Sequence, residues 1–348
     1  MSSPFKLVAP VREEDATGAV AVVYKNAKLE LGTLPPPLMA LSAAPELLAS
    51  AWAALRESLL VGGRQERITK EVVAIAIARE SGCSYCTSAH GFLLHAAGAH
   101  ELAEELMQGE IPGNRDYAGV AVWARSTFTG DVCDPARVEG PFSHDVAPRI
   151  IGTALFFHFF TRMVQALTTD SFAPAGQVNA ETLKSKVTPT WKRLFDQELQ
   201  PARRCELESH MHNWAVDLDI PRWSQDEPVG TAWARLKATA TQGRELVSHD
   251  TAQKLETSIR QFLDDPPTRV DWIDQEIASL EKEHEAARLI LLAAIEPSRI
   301  TPADVEAWQG TTYLDHCLAF LLSYGAIAAT SHIENTLVNT AGSGASHA

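Results

Sequence analysis

Apolar residues recur at three- and four-residue spacing along almost all of this chain, and no stretch shows the sustained alternation of a half-buried strand. A chain patterned this way buries its apolar surface by packing helix against helix. The segment PELLASAWAALRESLL (45–60) has a proline at a first helical position, and TKEVVAIAIARE (69–80) starts at a threonine of the capping type. HELAEELMQGE (100–110) and IIGTALFFHFFTRMVQAL (150–167) continue the series, with Gly113-Asn114, Asp134-Pro135 and Gly140-Pro141 marking loops. The expected fold class is all-α, and 348 residues suffice for one large domain or two of ordinary size.

Charge and composition narrow the partners. A formal net charge of −14 disfavours nucleic acid and anionic membrane surfaces, both of which reward a basic face. The opening MSSPFKLVAPVREEDATG has no continuous apolar run, so no signal peptide is expected. The most apolar stretch, 150–167, contains His158 and Arg162 and is short for a membrane span, so it reads as a buried helix. The expected location is the cytoplasm. An odd count of five cysteines in that reducing compartment argues against a disulfide scaffold, so any disulfide should be transient and catalytic.

The second half reads as a weakened echo of the first. WIDQEIASLEKEHEAARLILLAAIEP (272–297) runs charged and then apolar, as 64–80 does, and CLAFLLSYGAIAATSHIENTL (317–337) matches the 150–167 helix. Between them PSRITPADVEAW (297–308) has no cysteine. The expected organisation is a first module over 1–170, a linker with connecting helices over 171–229, a degenerate copy over 230–340 and a flexible tail at 341–348.

Only Cys83 and Cys86 are close in sequence, within GCSYCTSAHGF (82–92). A zinc site would need two further ligands. There is no second Cys-x-x-Cys, and His95 lies about 140° around a helix from His90, so a distant partner such as Cys133 would be required. No metal and no organic cofactor is therefore expected. A dithiol fits better. Ser81-Gly82 breaks the preceding helix, and a new one runs from Cys83 to Gly98, which puts both sulfurs in a first turn where free N–H groups and the helix dipole favour a thiolate. His90, four residues beyond Cys86, shares its face and lies about 6 Å up the axis. In an antiparallel hairpin around Ser81-Gly82, residue 71 lies level with about residue 92. Glu71 then falls within a turn of His90, where a carboxylate at the head of the run VVAIAIA needs a partner.

Glu71, eleven residues, Cys83, two residues, Cys86, three residues and His90 together resemble the motif of AhpD-like alkylhydroperoxidases of the carboxymuconolactone decarboxylase superfamily. The resemblance covers roughly 15–170 and includes ATGAVAVVYKNAK and GTALFFHFFTRMV; over 230–340 it is only suggestive. It implies an all-helical peroxidase in which Cys86 attacks an organic hydroperoxide, Cys83 resolves, and His90 and Glu71 relay protons. It also implies an external dithiol reductant, lipoyl-type or thioredoxin-like, and assembly into a homo-oligomer. The pattern departs from the best-known peroxidase at Tyr85, where that enzyme has a histidine. Two other readings of the same pocket are acid–base chemistry (decarboxylation or isomerisation, with Glu71 and His90 as acid and base) and a redox-sensing or scaffolding protein without turnover.

Among the remaining residues, Tyr85 is expected to line the substrate pocket. His158 either faces that pocket or bonds a backbone carbonyl. His95 and His100 read as surface or cap residues, Glu80 as a surface acid, and Cys133, Cys205 and Cys317 as isolated structural cysteines.

Overall fold

The computed structural model describes residues 3–128, 141–169, 184–201, 207, 218–267, 271–278, 280, 283–310 and 312–342. The first half contains α1 (Gly18–Leu31), α2 (Pro36–Ala40), α3 (Pro45–Leu55), a π-turn (Arg56–Leu60), α4 (Arg64–Glu80), α5 (Ser84–Ala96), α6 (His100–Gln108), α7 (Arg115–Ser126) and α8 (Ala147–Leu167). A short α9 (Pro189–Asp196) precedes α10 (Pro228–Thr241), α11 (His249–Asp264), α12 (Trp272–Ile277), α13 (His284–Ile295), α14 (Pro302–Gln309) and α15 (Asp315–Gly342). Among the described residues there is no strand, only the isolated bridges Phe5–Thr168 and Gly62–Leu199. The fold class is all-α, as the spacing predicts.

Helix α4 starts earlier than its pattern suggests. Gly63 is its N-cap, and Thr69 lies inside the helix, where its hydroxyl donates to the Gln65 carbonyl at 3.2 Å. The early turns are hidden from a polarity reading because Arg67 and Lys70 are buried, at 2% and 0% exposure. Buried charges persist only when paired and hydrogen-bonded. Lys70 Nζ donates to the Val61 carbonyl at 2.6 Å and lies 2.7 Å from Glu66 Oε1. Arg149 of α8 donates to the same Glu66 at 2.6 Å and also pairs with Glu227 at the head of α10. One charge network thus joins α4, α8 and α10.

Helix α8 is the centre of the molecule. Every residue from Ile150 to Leu167 is buried, as expected for the 150–167 stretch. By length and composition, Ala147–Leu167 and Asp315–Val338 are apolar enough to cross a membrane, and 94% of the apolar window of α8 is covered by the protein itself. It packs on α4, α10 and α15, and a single continuous core runs through both halves. Arg162 of α8, buried, donates to the Ala294 carbonyl of α13 at 2.7 Å and back to the His158 carbonyl at 2.5 Å. Burial lowers its pKa to about 10, and it remains cationic at neutral pH.

The 272–297 stretch, read from sequence as one charged-then-apolar run, carries two helices, α12 and α13. Gly325 lets α15 lie directly on α13: a Cβ there would overlap the Ile290 carbonyl. Helix α15 also runs to Gly342, into the stretch expected to be a flexible tail; residues 343–348 lie outside the described residues. Within the expected linker, 171–183, 202–206 and 208–217 lie outside the described residues, and 189–196 form α9, which packs on α5.

Candidate active site

The site is built by the turn between α4 and α5. Gly82 takes the left-handed conformation (φ 71°), its N–H bonds the Arg79 carbonyl at 3.1 Å, and the Cys83 N–H bonds the Ala78 carbonyl at 2.9 Å. This is a Schellman termination, in which the residue two past the helix end closes the longer of two reversed bonds. Here that residue is also the N-cap of the next helix. Cys83 Sγ accepts from the Cys86 N–H at 3.3 Å, the position a serine or aspartate oxygen usually fills. Cys83 and Cys86 are joined in a disulfide, with their Cα atoms 5.3 Å apart, and both are buried.

One turn above Cys86, His90 Nδ1 lies 2.6 Å from Glu71 Oε2. The hairpin register predicted from sequence is realised as a direct contact. The Glu71 side chain is wholly buried and His90 is 12% exposed. Glu71 Oε1 has no hydrogen-bond partner among the described residues, while Arg67, one turn earlier on α4, feels the Glu71 charge. The His90 ring also meets Phe157 of α8 edge-on, with centroids 4.7 Å apart.

His90 and Tyr85 open onto a cavity of about 360 Å³. Its walls come from α1, the proline-rich entry to α2, α3, the π-turn, α5 and Phe160 of α8, together with Lys186 and Trp191. Trp191 of α9 meets Phe92 edge-on at 5.0 Å. The α9 segment is fastened further by the Arg64–Asp196 ion pair, by Arg67 over the Phe195 ring at 4.6 Å, and by the Arg67 donation to the Leu194 carbonyl at 3.2 Å. A cavity wall therefore lies in the stretch that reads as linker. Its only sequence signal is the amphipathic PTWKRLFD after Thr188.

Tyr85 lines this cavity as expected, and burial pushes its phenol pKa up, keeping it neutral. His158 does not line it. Its Nε2 is 2.6 Å from the Thr127 hydroxyl, and its ring packs on Phe128 at 4.4 Å, so neither sequence reading of its side chain is realised. Burial, with Arg162 nearby, holds it neutral. His95 is a correction to the surface reading: it is fully buried, and its Nδ1 lies 3.0 Å from His100 Nδ1. Burial lowers the pKa of both rings, so one can donate to the other. Glu80 is exposed and 3.6 Å from Arg125; Cys317 is a free cysteine; Cys133 and Cys205 lie outside the described residues. Among the described residues no group of three or more His, Cys, Asp or Glu side chains is placed to hold a metal.

Fold and site define an all-helical protein with a vicinal cysteine pair at a helix start and a carboxylate–imidazole pair beside it. The chain aligns over 339 residues, at 33% identity, with the alkyl hydroperoxide reductase Rv2159c of Mycobacterium tuberculosis. The alignment spans 94% of this chain and 93% of that one. The chain thus belongs to the AhpD-like alkylhydroperoxidase family. No protein-family model matches it, and no solved structure does.

Proposed function

We propose that this protein is a thiol-dependent peroxidase that reduces organic hydroperoxides through Cys83 and Cys86, with Glu71 and His90 as its proton relay. The observation that carries the reading is the 2.6 Å Glu71–His90 contact, one turn from Cys86 and open to an apolar cavity. Kinship with a named alkyl hydroperoxide reductase supports an oxidoreductase of peroxidase type.

In the reduced protein the Cys86 thiolate attacks the distal peroxide oxygen. The O–O bond breaks, and the leaving alkoxide takes a proton through His90, giving the alcohol and a Cys86 sulfenic acid. Glu71 holds Nδ1 of His90, which leaves Nε2 as the nitrogen that exchanges protons. The Cys83 thiolate then attacks the Cys86 sulfur, and hydroxide leaves as water after gaining a proton. An external dithiol, of lipoyl-type or thioredoxin-like chemistry, supplies the two electrons that reopen the disulfide. In that step the Cys86 N–H, already directed at Cys83 Sγ, stabilises negative charge on the departing sulfur. Tyr85, neutral in its buried setting, is a hydrogen-bond donor to the substrate. A cytoplasmic location keeps the donor pool reduced, and the working form is a homo-oligomer.

The test is consumption of cumene hydroperoxide by the protein with excess dihydrolipoamide, beside Cys86→Ser and Cys83→Ser. Multiple turnovers lost in both variants, with a Cys83–Cys86 disulfide found by peptide mapping, bear the proposal out. One stoichiometric oxidation without turnover replaces it with a redox sensor.

A further inference from the structure

We propose that the cavity beside His90 takes a hydroperoxide that is also a carboxylic acid, an acyl chain whose acid end is held at Lys186. This deepens the peroxidase reading and rests on it. The walls are hydrocarbon and aromatic, from Leu38, Leu59, Phe160 and Trp191 among others, and suit an aliphatic chain. The volume of about 360 Å³ lies at the small end of the usual range for ligand sites, about 300–1,000 Å³.

The polar groups are unevenly placed. His90 and Tyr85 stand next to the cysteines. Lys186 is the one lining side chain with a permanent charge, and the lining contains no aspartate or glutamate. That is notable in a chain with 44 acidic against 30 basic residues. Lys186 is exposed, and among the described residues no carboxylate is within ion-pairing distance of it. Lys184 and Lys192 of the same segment carry the same charge, and both act on His100, where Glu104 opposes them. A plain alkyl hydroperoxide has no use for a cation at the edge of an apolar cavity. A chain with an anionic end gains an ion pair there while its hydrocarbon leaves water. A single lysine matches a monoanion, whereas a phosphomonoester calls for several converging donors.

The experiment compares linoleate hydroperoxide, its methyl ester and cumene hydroperoxide as substrates of the full chain with dihydrolipoamide. The expected result at low ionic strength is a KM for the acid up to about fivefold below that of the ester, the range of an exposed ion pair. Lys186→Ala should abolish that preference and Lys186→Arg restore it. Lys254→Ala, the same change of charge on α11, should keep it. Equal KM for acid and ester in the unmutated protein, or a preference that survives Lys186→Ala, overturns the inference. Failure of the peroxidase reading is separate, because it appears as no turnover of any hydroperoxide. In that case binding of the unreactive hydroxy acid and its methyl ester, followed by the fluorescence quench that Trp191→Phe removes, decides the carboxylate preference by itself.

Discussion

Removing His90 should be far more damaging than removing the charge it faces. The Glu71 side chain has no exposure to solvent, and His90 is its one hydrogen-bond partner among the described residues. In His90→Ala, the wholly buried Glu71 carboxylate loses its donor, a situation that costs about 3–5 kcal/mol. In Glu71→Gln, an amide of the same shape can still accept from the imidazole, and the expected cost is only about 1 kcal/mol. The double variant His90→Ala with Glu71→Gln leaves no carboxylate without its imidazole donor, so it should be more stable than His90→Ala alone. The cycle should show a coupling of about 2–3 kcal/mol, within the range of contacting residues. Urea unfolding of the oxidised protein at pH 7, comparing midpoints at constant slope, measures all four corners. If His90→Ala costs under about 1 kcal/mol and adding Glu71→Gln changes nothing, Glu71 and His90 are not the buried pair described here.

Two further outcomes follow from the same packing. Burial holds the Lys70 ammonium at a pKa of about 8, against 10.5 for a free lysine. Between those values the unfolded chain keeps the proton that the native chain has lost, so this residue's contribution rises with pH across that window. Below pH 8 its buried charge costs about 3 kcal/mol, at about 1.4 kcal/mol per pH unit. The stability difference between the unmutated protein and Lys70→Met should therefore move toward the former as pH is raised from 8 to 10.5; a flat difference refutes the assignment. Gly325→Ala should cost more than about 3 kcal/mol, since the new methyl meets backbone rather than a flexible side chain, and a thermal midpoint within about 1 °C of the parent would contradict the α13–α15 contact.

The helices and the reactive pair were legible because each rests on local spacing. Cys83, Cys86 and His90 lie on one helix, and a tight turn fixes the register that brings Glu71 to them. The start of α4 was hidden because Arg67 and Lys70 look like surface residues until Glu66, Glu71 and the Val61 carbonyl are placed around them. The same holds for His95, whose burial depends on His100 across the α5–α6 turn. The position of His158 was not readable either: on a helix buried all round, sequence does not say which neighbour each face meets. Trp191 and Lys186 were missed for a different reason. They sit in a polar, proline-bearing stretch that closes on the cavity only through distant partners, Phe92, Arg64 and Arg67.

Helix α8 touches the site with Phe157 and Phe160, and the other half with Arg162. A truncated chain ending before α10 would keep both cysteines, Glu71 and His90, yet lose the cover of a helix whose composition is as apolar as a membrane span. The half that carries the cysteine pair is therefore not a portable unit. Cut free, it would exchange its partner for detergent, lipid or another copy of itself, and the aromatic wall beside His90 would shift with it.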